Sequence, residues 1–333
     1  MGSFRYSNYN YNILTALTDK QLGKSWKDII DDEIFSKAGM TRSSAYISKA
    51  QNLGWSIAHP HDTFGLNKPK LVNSERLKTD ATMQSAGGVI MSAGDAVKWL
   101  EFMVEDGRIG GHQVFSKEAV VSTVRPYVKV NKKYGKYERN HYGLGWYIGK
   151  YEKDVLIHHF GGFSGARSHV SFMPDRKIGV AVFINDSEVG NPLADVIANY
   201  IYDSLIEEND AEENYKDSLE EAIKRRQVAK ERLAASKARL ANRPSTLSLP
   251  LDKYVGKYSS IFGESIAVEV NNGKLHFVEG DFSTPTTPYT KAESVRFNHI
   301  SGLPMVMKFS LDQNGDVYQL LLVDEIYKRE RLD

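Results

Sequence analysis

Residues 9–20 are apolar enough for a short helix, and in two later stretches the apolar residues recur at the spacing of one face of a helix. Ser25 is placed to cap the second of these helices, and Gly39 is placed to end it. Residues 54–80 contain prolines and many polar side chains, which indicates a long surface loop. The pattern predicts helices over 9–20, from Ser25 to Gly39, and over 93–106.

The pattern then changes to that of short strands. Pro174 to Lys177 make a natural hairpin turn between the last two of four closely spaced apolar stretches. A helix is predicted from Pro192 to about residue 206. An antiparallel sheet with helices before and after it indicates an α+β domain over residues 1–206. The four predicted strands are 142–149, 154–160, 166–173 and 177–184.

A charged segment, residues 207–250, follows this domain. Five of the seven residues in 207–213 are acidic, whereas basic residues dominate from Lys224 to Arg239. That order suits the dipole of one helix, which favours acidic residues at its start and basic residues at its end. We predict a solvated connector helix; a helix that binds a partner is the alternative.

Short strands separated by turns are predicted in the C-terminal residues 251–333. Asn271-Asn272-Gly273 lies between two of these strands and is a strong hairpin signal. A second pair of strands flanks Asn314-Gly315. The pattern predicts a small all-β domain, built as a closed or nearly closed barrel.

Composition excludes several classes of protein. The 333 residues suit about two domains, and the 41% hydrophobic share is that of a globular protein. Lys and Arg number 43 against 42 Asp and Glu, so no basic surplus indicates a nucleic-acid partner. No transmembrane stretch and no signal peptide are predicted. The absence of Cys excludes disulfides, thiolate zinc sites and a Cys nucleophile.

The first segment that could carry chemistry is Tyr6-Ser7-Asn8, just ahead of the first helix. A tyrosine can act as a general base only if nearby cations lower its pKa or share its proton. The neighbouring Asn8 could hold a substrate amide. Taken alone, the segment is more often a core tyrosine beside an asparagine that caps a helix.

The second segment is His159-Phe160-Gly161-Gly162, on a predicted strand. Glycines in a strand let another backbone approach closely, and a free N–H there could donate to an oxyanion. A histidine at this place can donate a hydrogen bond or supply positive charge. The alternative interpretation is a hairpin bulge with a buried histidine.

No metal site is predicted. Pro60 separates His59 from His61, and no third ligand is placed near them. The adjacent His158 and His159 should point to opposite faces of a strand, which argues against a zinc site shared with His169.

Together, these segments resemble the beta-lactamase-related serine hydrolases, which include class C beta-lactamases, D-Ala-D-Ala carboxypeptidases, D-aminopeptidases and esterases. The likeness covers about residues 1–206. Residues 251–333 resemble the lipocalin-like domain often appended to such hydrolases. The resemblance implies an incomplete beta-lactamase/transpeptidase-like fold and hydrolysis through an acyl-enzyme, without a cofactor. Its motifs run from Gly2 to Asn8, Ile34 to Thr41, Ser85 to Leu100, Tyr142 to Trp146 and His159 to Gly162.

The resemblance also implies roles for individual residues. Tyr6 would be the general base or part of it, and Asn8 would contact the amide or carbonyl of a small-molecule or peptide substrate. His159 stands where the penicillin-recognising members keep a lysine. Gly161 and Gly162 complete that motif, and the N–H of Gly162 would form half of an oxyanion hole. Relatives are usually exported, whereas this chain shows no export signal. The sequence therefore does not predict the compartment.

One departure from the family affects the expected activity. The family's nucleophile is the serine of a Ser-x-x-Lys pair upstream of the tyrosine motif, and here no serine has a lysine three residues later. Ser164 also fails to fit a Gly-x-Ser-x-Gly elbow and is predicted to be a turn residue. We therefore expect a truncated or split hydrolase, inactive alone, whose missing N-terminal segment could come from another chain. The alternative is a non-catalytic protein that binds a ligand or a peptidoglycan peptide.

Overall fold

The computed structural model of the chain describes residues 3–63, 68–186, 193–206, 210–299 and 304–330. Gly2 and Pro192, which entered the predictions above, lie outside these ranges. The chain forms two compact units. The first comprises Met1–Phe64, Lys68–Leu71 and Lys78–Arg226, and the second comprises Gly65–Asn67, Val72–Leu77 and Gln227–Asp333.

The helices are α1 (Asn8–Leu22), α2 (Trp26–Ile30), α3 (Ile47–Asn52), α4 (Ala93–Val104), α5 (Lys117–Thr123), α6 (Leu193–Ile206) and α7 (Ala211–Ala241). The strands of the first unit are β1 (Ser43–Ser44), β2 (His61–Asp62), β3 (Lys70–Leu71), β4 (Ile90–Met91), β5 (Arg108–Ile109), β6 (His112–Gln113), β7 (Val128–Tyr134), β8 (Tyr137–Tyr142), β9 (Tyr147–Tyr151), β10 (Asp154–Phe163), β11 (Ala166–Met173) and β12 (Ile178–Ile184). Within the described ranges, no helix combines the length and apolar character needed to cross a membrane.

The predicted helices near the start of the chain are confirmed. The Ser25 side chain accepts a hydrogen bond from the Lys27 N–H and so caps α2, as expected. A wider π-helical turn, Asp31–Ser36, continues α2 before the chain reverses at Gly39. Ser92 caps α4 in the same way, by accepting from the N–H of Asp95.

A six-stranded antiparallel sheet in the order β12-β11-β10-β9-β8-β7 forms the centre of the first unit. The predicted strand over 142–149 is wrong, because the chain turns inside it. Tyr142 ends β8 and Tyr147 begins β9, and between them the Gly143 N–H donates to the Trp146 carbonyl at 2.8 Å. Gly145 takes φ +90° in this turn, a backbone conformation that favours glycine.

Each face of this sheet packs against a helix, which confirms the α+β class. On one face, Leu100, Phe102 and Met103 of α4 form a core with side chains that include Trp146 and Phe172. On the other face, Ala198 and Tyr202 of α6 pack against sheet residues that include Tyr137, Tyr151, Leu156, Met173 and Val180. Burial of each large apolar side chain contributes about 1.5–3 kcal/mol.

The α6 face also buries a chain of polar groups. The His169 Nδ1 lies 2.9 Å from a carboxylate oxygen of Asp195, its Nε2 lies 2.6 Å from the Ser171 Oγ, and that oxygen lies 2.7 Å from the Tyr202 hydroxyl. A carboxylate only accepts, so the Nδ1–H donates to it. In neutral His169, Nε2 then accepts from Ser171, whose oxygen accepts from Tyr202. Every member thus has a partner, as burial requires.

The charged segment forms the 31-residue helix α7. Pairs such as Lys216 with Glu212 at 2.8 Å join residues four apart along it. Such pairs contribute only a few tenths of a kcal/mol each, and they suit the solvated connector helix that was predicted.

The second unit contains a nearly closed nine-stranded antiparallel sheet, as the C-terminal pattern predicts. Its interior is filled by side chains, including Tyr258, Met307 and Leu320, which are 0% exposed. The hairpin at Asn272-Gly273 has positive φ at both residues, which is the geometry of a type I′ turn. Its strands are β13 (Gly256–Ser260), β14 (Ser265–Asn271), β15 (Lys274–Glu279), β16 (Phe282–Pro285), β17 (Thr287–Pro288), β18 (Ser294–Asn298), β19 (Pro304–Leu311), β20 (Val317–Leu322) and β21 (Glu325–Arg329).

Candidate functional site

Tyr6 and His159 lie side by side, although 152 positions separate them along the chain. Tyr6 precedes α1 in an extended segment, and His159 lies on β10. Their ring centroids are 5.9 Å apart. Tyr6 is 46% exposed, so it lines a surface rather than the core. The two segments that the sequence analysis singled out therefore meet at one site.

His159 is held in one tautomer by two hydrogen bonds. Its Nδ1 lies 2.9 Å from the Phe160 carbonyl, which can only accept, so Nδ1 carries a proton. Its Nε2 lies 3.2 Å from the hydroxyl of Tyr142. Burial lowers the pKa of His159 below its usual 6.5, and the Arg139 charge lowers it further against the opposing effect of the Phe160 carbonyl. The imidazole is therefore neutral at pH 7, and Nε2 accepts from Tyr142.

Tyrosines surround the histidine on this side of the sheet. The Tyr11 hydroxyl lies 3.4 Å from that of Tyr142, so the proton chain runs from Tyr11 through Tyr142 to His159. Tyr147 stacks on the imidazole with centroids 5.6 Å apart. Phe4 packs on Tyr142 at 5.0 Å and so fixes the extended segment that carries Tyr6.

The surroundings of Tyr6 do not activate it as a base. Burial raises its pKa above the usual 10, and the charges of Tyr147 and Tyr11 raise it further. The hydroxyl consequently keeps its proton at neutral pH. A general-base role would need a group that stabilises the phenolate of Tyr6, above all a cation brought close to it, because a nearby positive charge lowers the pKa of a phenol.

Asn8 is exposed at the first position of α1, and Ser7 occupies the capping position. The alternative interpretation of this segment, a core tyrosine beside a capping asparagine, is therefore wrong. The side chain of Asn8 faces solvent near Tyr6, where a ligand could reach it.

Polar contacts anchor α1 to a second motif, Ser85 to Gly88. The Asn12 side chain donates to Gln84 at 2.9 Å and accepts from the Ser85 hydroxyl at 3.0 Å. The Thr15 hydroxyl lies 2.8 Å from the Ser85 Oγ. These contacts fix the direction of α1 and therefore the position of Tyr6 at its start.

The strand that carries His159 has an open edge next to the histidine. β9 pairs with β10 only as far as His158, whereas β11 pairs with β10 as far as Phe163. Within the described parts of the chain, no strand pairs with residues 159–163 on the β9 side. Gly161 and Gly162 are exposed there. An extended ligand could add to this edge through backbone hydrogen bonds.

Side chains of β11 occupy the space beside both glycines. A Cβ at position 161 would lie 2.3 Å from the Ser168 Oγ, and one at 162 would lie 1.7 Å from a guanidinium nitrogen of Arg167. The glycines thus let these two side chains lie over β10. The alternative interpretation of a bulge is wrong, because pairing from Ile157 to Phe163 has no register shift.

Lys78 is a neighbour of this site that sequence reasoning missed. Its ammonium lies 4.1 Å from the centroid of the Phe163 ring, at the end of the open edge. Burial lowers the pKa of Lys78 below its usual 10.5. It lies in the predicted surface loop, and nothing in the surrounding sequence distinguishes it from other loop lysines.

The other serine and histidines considered in the sequence analysis lie away from the contact between Tyr6 and His159. Ser164 lies in the turn between β10 and β11, as predicted, and is 8% exposed. His158 and His169 are buried on the α6 face, opposite His159. Across the described ranges, no three His, Asp or Glu side chains are grouped so that they could hold a metal ion.

One solved structure with a TM-score above 0.5 shares the fold, and a second shows a weaker likeness. An octameric penicillin-binding protein homologue from Pyrococcus abyssi is 21% identical, with a TM-score of 0.53 over 98% of this chain and 65% of that one. A D-amino acid amidase from Ochrobactrum anthropi SV3 is 15% identical, with a TM-score of 0.45 over 70% of this chain and 58% of that one. The chain therefore spans about two thirds of the Pyrococcus homologue.

Among curated proteins, none matches the chain. The model of the Beta-lactamase family matches residues 2–200, which is more than half of the sequence and includes Tyr6 and His159. The chain therefore belongs to the Beta-lactamase family.

Proposed function

We propose that the chain is the substrate-binding part of a serine hydrolase that cleaves a peptide, amide or ester through an acyl-enzyme, and that the nucleophile comes from outside this chain. The contact between Tyr6 and His159 beside the open edge of β10 carries this proposal. The family supplies the reaction class, because its members are serine hydrolases that act on amides and peptides.

The open edge would bind the substrate. An extended acyl group would pair with residues 159–163, and the backbone N–H of Gly162 would donate to the carbonyl oxygen as its charge develops. Asn8 would hold the neighbouring amide. The backbones that carry these groups are held in place, because β10 pairs with β11 and α1 is anchored through Asn12 and Thr15.

The proton transfer would need a second component. Tyr6 could accept the proton of a serine hydroxyl only after a cation lowers its pKa, and the raised pKa found here supports that requirement. A segment that carries a Ser-x-x-Lys pair would supply both the nucleophile and the cation. This chain contains no serine with a lysine three residues later.

The second candidate function is binding without catalysis. It is favoured by the electrostatics of this chain alone, since Tyr6 keeps its proton and His159 is neutral. The open edge would then bind a peptide, such as one from peptidoglycan, without cleaving it. The neutral His159 would be a weak anchor for a ligand carboxylate, because only the imidazolium attracts an anion strongly.

Both candidates predict that the edge binds an acylated peptide. We expect N-acetyl-D-alanyl-D-alanine to shift the amide signals of Gly161 and Gly162 in a nitrogen-15 NMR titration of the full chain. The Gly94 amide, at the start of α4, is the internal control and should not move. Binding that leaves the Gly161 and Gly162 signals in place would contradict the proposed site.

A further inference from the structure

A lysine stands at one end of the open edge of β10. The Lys78 ammonium lies 4.1 Å from the centroid of the Phe163 ring and donates to the Thr82 carbonyl at 3.1 Å. Both partners are uncharged. The acidic residue closest to it along the chain, Asp80, directs its carboxylate to Ser48 instead and accepts from the Ser48 N–H at 3.1 Å.

This lysine is half-buried, unlike an ordinary surface lysine. Burial lowers its pKa below the usual 10.5, and no acidic group among the described residues raises it again. A charge taken out of water without a counter-ion is costly, so a partly buried lysine normally has an acidic partner. An ammonium carries three donors, and within the described ranges only the Thr82 carbonyl accepts from it. Lys78 can therefore still bind an anion.

Lys78 and His159 lie over the same face of β10. Side chains alternate between the faces of a strand, and the pairing with β11 has no register shift, so His159 and Phe163 point to one side. The four steps from His159 to Phe163 span about 13 Å of extended chain. A ligand extended along the open edge would consequently meet Tyr6 and His159 at one end and Lys78 at the other.

The loop that carries Lys78 is attached to the helix that follows Tyr6. Gln84 and Ser85, shortly after Lys78, are the residues that contact Asn12 and Thr15 of α1. Lys78 and the start of α1 are thus held on the same side of the site.

We propose that Lys78 binds the carboxylate of an acidic residue in the substrate, directly before the residue whose carbonyl is attacked. This role rests on the proposed function. If the attacked carbonyl accepts from the Gly162 N–H, its residue lies opposite Gly162, and in antiparallel pairing the preceding residue lies opposite Phe163. Residues directly opposite each other point their side chains to the same face. The acidic side chain is then directed over Phe163, towards Lys78.

Two other basic side chains near the edge are less suited to this carboxylate. His159 is neutral at pH 7, because burial lowers its pKa. The Arg167 guanidinium covers Gly162, whose side-chain position lies on the face opposite that of Phe163. Lys78 is the cation on the face where the acidic side chain would lie.

The test compares two peptides that differ in one charge. N-acetyl-L-glutamyl-D-alanyl-D-alanine and its L-glutaminyl counterpart have the same length and the same C-terminal carboxylate. Their dissociation constants for the full chain are measured from the shifts of the Gly161 and Gly162 amide signals in a nitrogen-15 NMR titration. We expect the glutamyl peptide to bind about tenfold more tightly, because it gains a charge-assisted hydrogen bond.

Variants assign this preference to one side chain. Lys78→Gln should bind the two peptides with equal dissociation constants, whereas Lys78→Arg should retain the preference because it retains the charge. Lys136→Gln is the matched control and should also retain it, since Lys136 is exposed in the turn between β7 and β8. Circular dichroism checks that each variant is folded.

The outcomes separate the role of Lys78 from the proposed function. If the wild type binds both peptides equally, or if the preference survives in Lys78→Gln, Lys78 does not bind the carboxylate, while binding at the edge stands. A preference lost equally in Lys136→Gln overturns the role as well. If neither peptide moves the Gly161 and Gly162 signals, the binding edge itself is wrong, and the role of Lys78 is wrong with it.

Discussion

Replacing Gly149 by alanine is expected to lower the free energy of unfolding by about 3 kcal/mol. Gly149 lies on β9, opposite β8, where the pairing shifts register between Arg139 and His141. A Cβ at position 149 would lie 1.8 Å from the carbonyl oxygen of Glu138. That oxygen belongs to the backbone of a central strand, so it cannot move aside as a side chain would.

Chemical denaturation followed by circular dichroism measures this loss. The matched control is Gly94→Ala, near the start of α4. No atom lies closer than 4.0 Å to a Cβ placed there, and alanine favours a helix over glycine by roughly 0.5–1 kcal/mol. The control should therefore be neutral or slightly stabilising. Equal stability of Gly149→Ala and the wild type would show that β8 and β9 do not pair as described.

Replacing Asp195 by alanine is the second change with a large expected effect. His169 is 0% exposed, and Asp195 accepts the hydrogen bond from its Nδ1–H. Without the carboxylate this donor is buried and unpaired, which costs about 2 kcal/mol. Asp195 also lies in the first turn of α6, where a negative charge stabilises the helix dipole.

The conservative variant Asp195→Asn separates these effects. Asparagine keeps an oxygen that can accept from His169, so most of the stability should return, apart from the smaller contribution of the charge. Differential scanning calorimetry should place the melting temperature of Asp195→Asn between those of the wild type and Asp195→Ala. If both variants melt at the same temperature, the hydrogen bond to His169 does not contribute to stability.

Hydrophobic periodicity was sufficient to predict most of the fold. The segment from Ser25 to Gly39, the helix α4, the strands β10 to β12 and the C-terminal barrel have regular apolar patterns, because each buries at least one face. α1 was predicted from its apolar content, and it has no fully buried residue. β7 and β8 were missed because β7 lies at the edge of the sheet and carries lysines, so its pattern does not alternate. The strand predicted over 142–149 was wrong because its aromatic and apolar residues continue through the turn at Gly143 to Trp146.

Sequence motifs predicted some residues of the candidate site, whereas the residues outside these motifs were not predicted. Tyr6 and His159 belong to motifs whose order along the chain indicated that they would meet. Tyr11 and Lys78 carry no motif, and their positions depend on how α1 and the loop after Leu71 pack. The raised pKa of Tyr6 could not be predicted from the sequence either. It follows from burial and from tyrosines that only the fold brings close.

The proposed function depends most on the absence of a serine nucleophile from the site formed by Tyr6 and His159. A fluorophosphonate probe, which modifies activated serines, tests it directly when the labelled full chain is weighed by mass spectrometry. We predict no adduct after prolonged incubation, because no serine here has a lysine three residues later, as the Ser-x-x-Lys pair requires. One adduct per chain, on a single serine and abolished by Tyr6→Phe, would show that the chain carries its own nucleophile and would contradict the account.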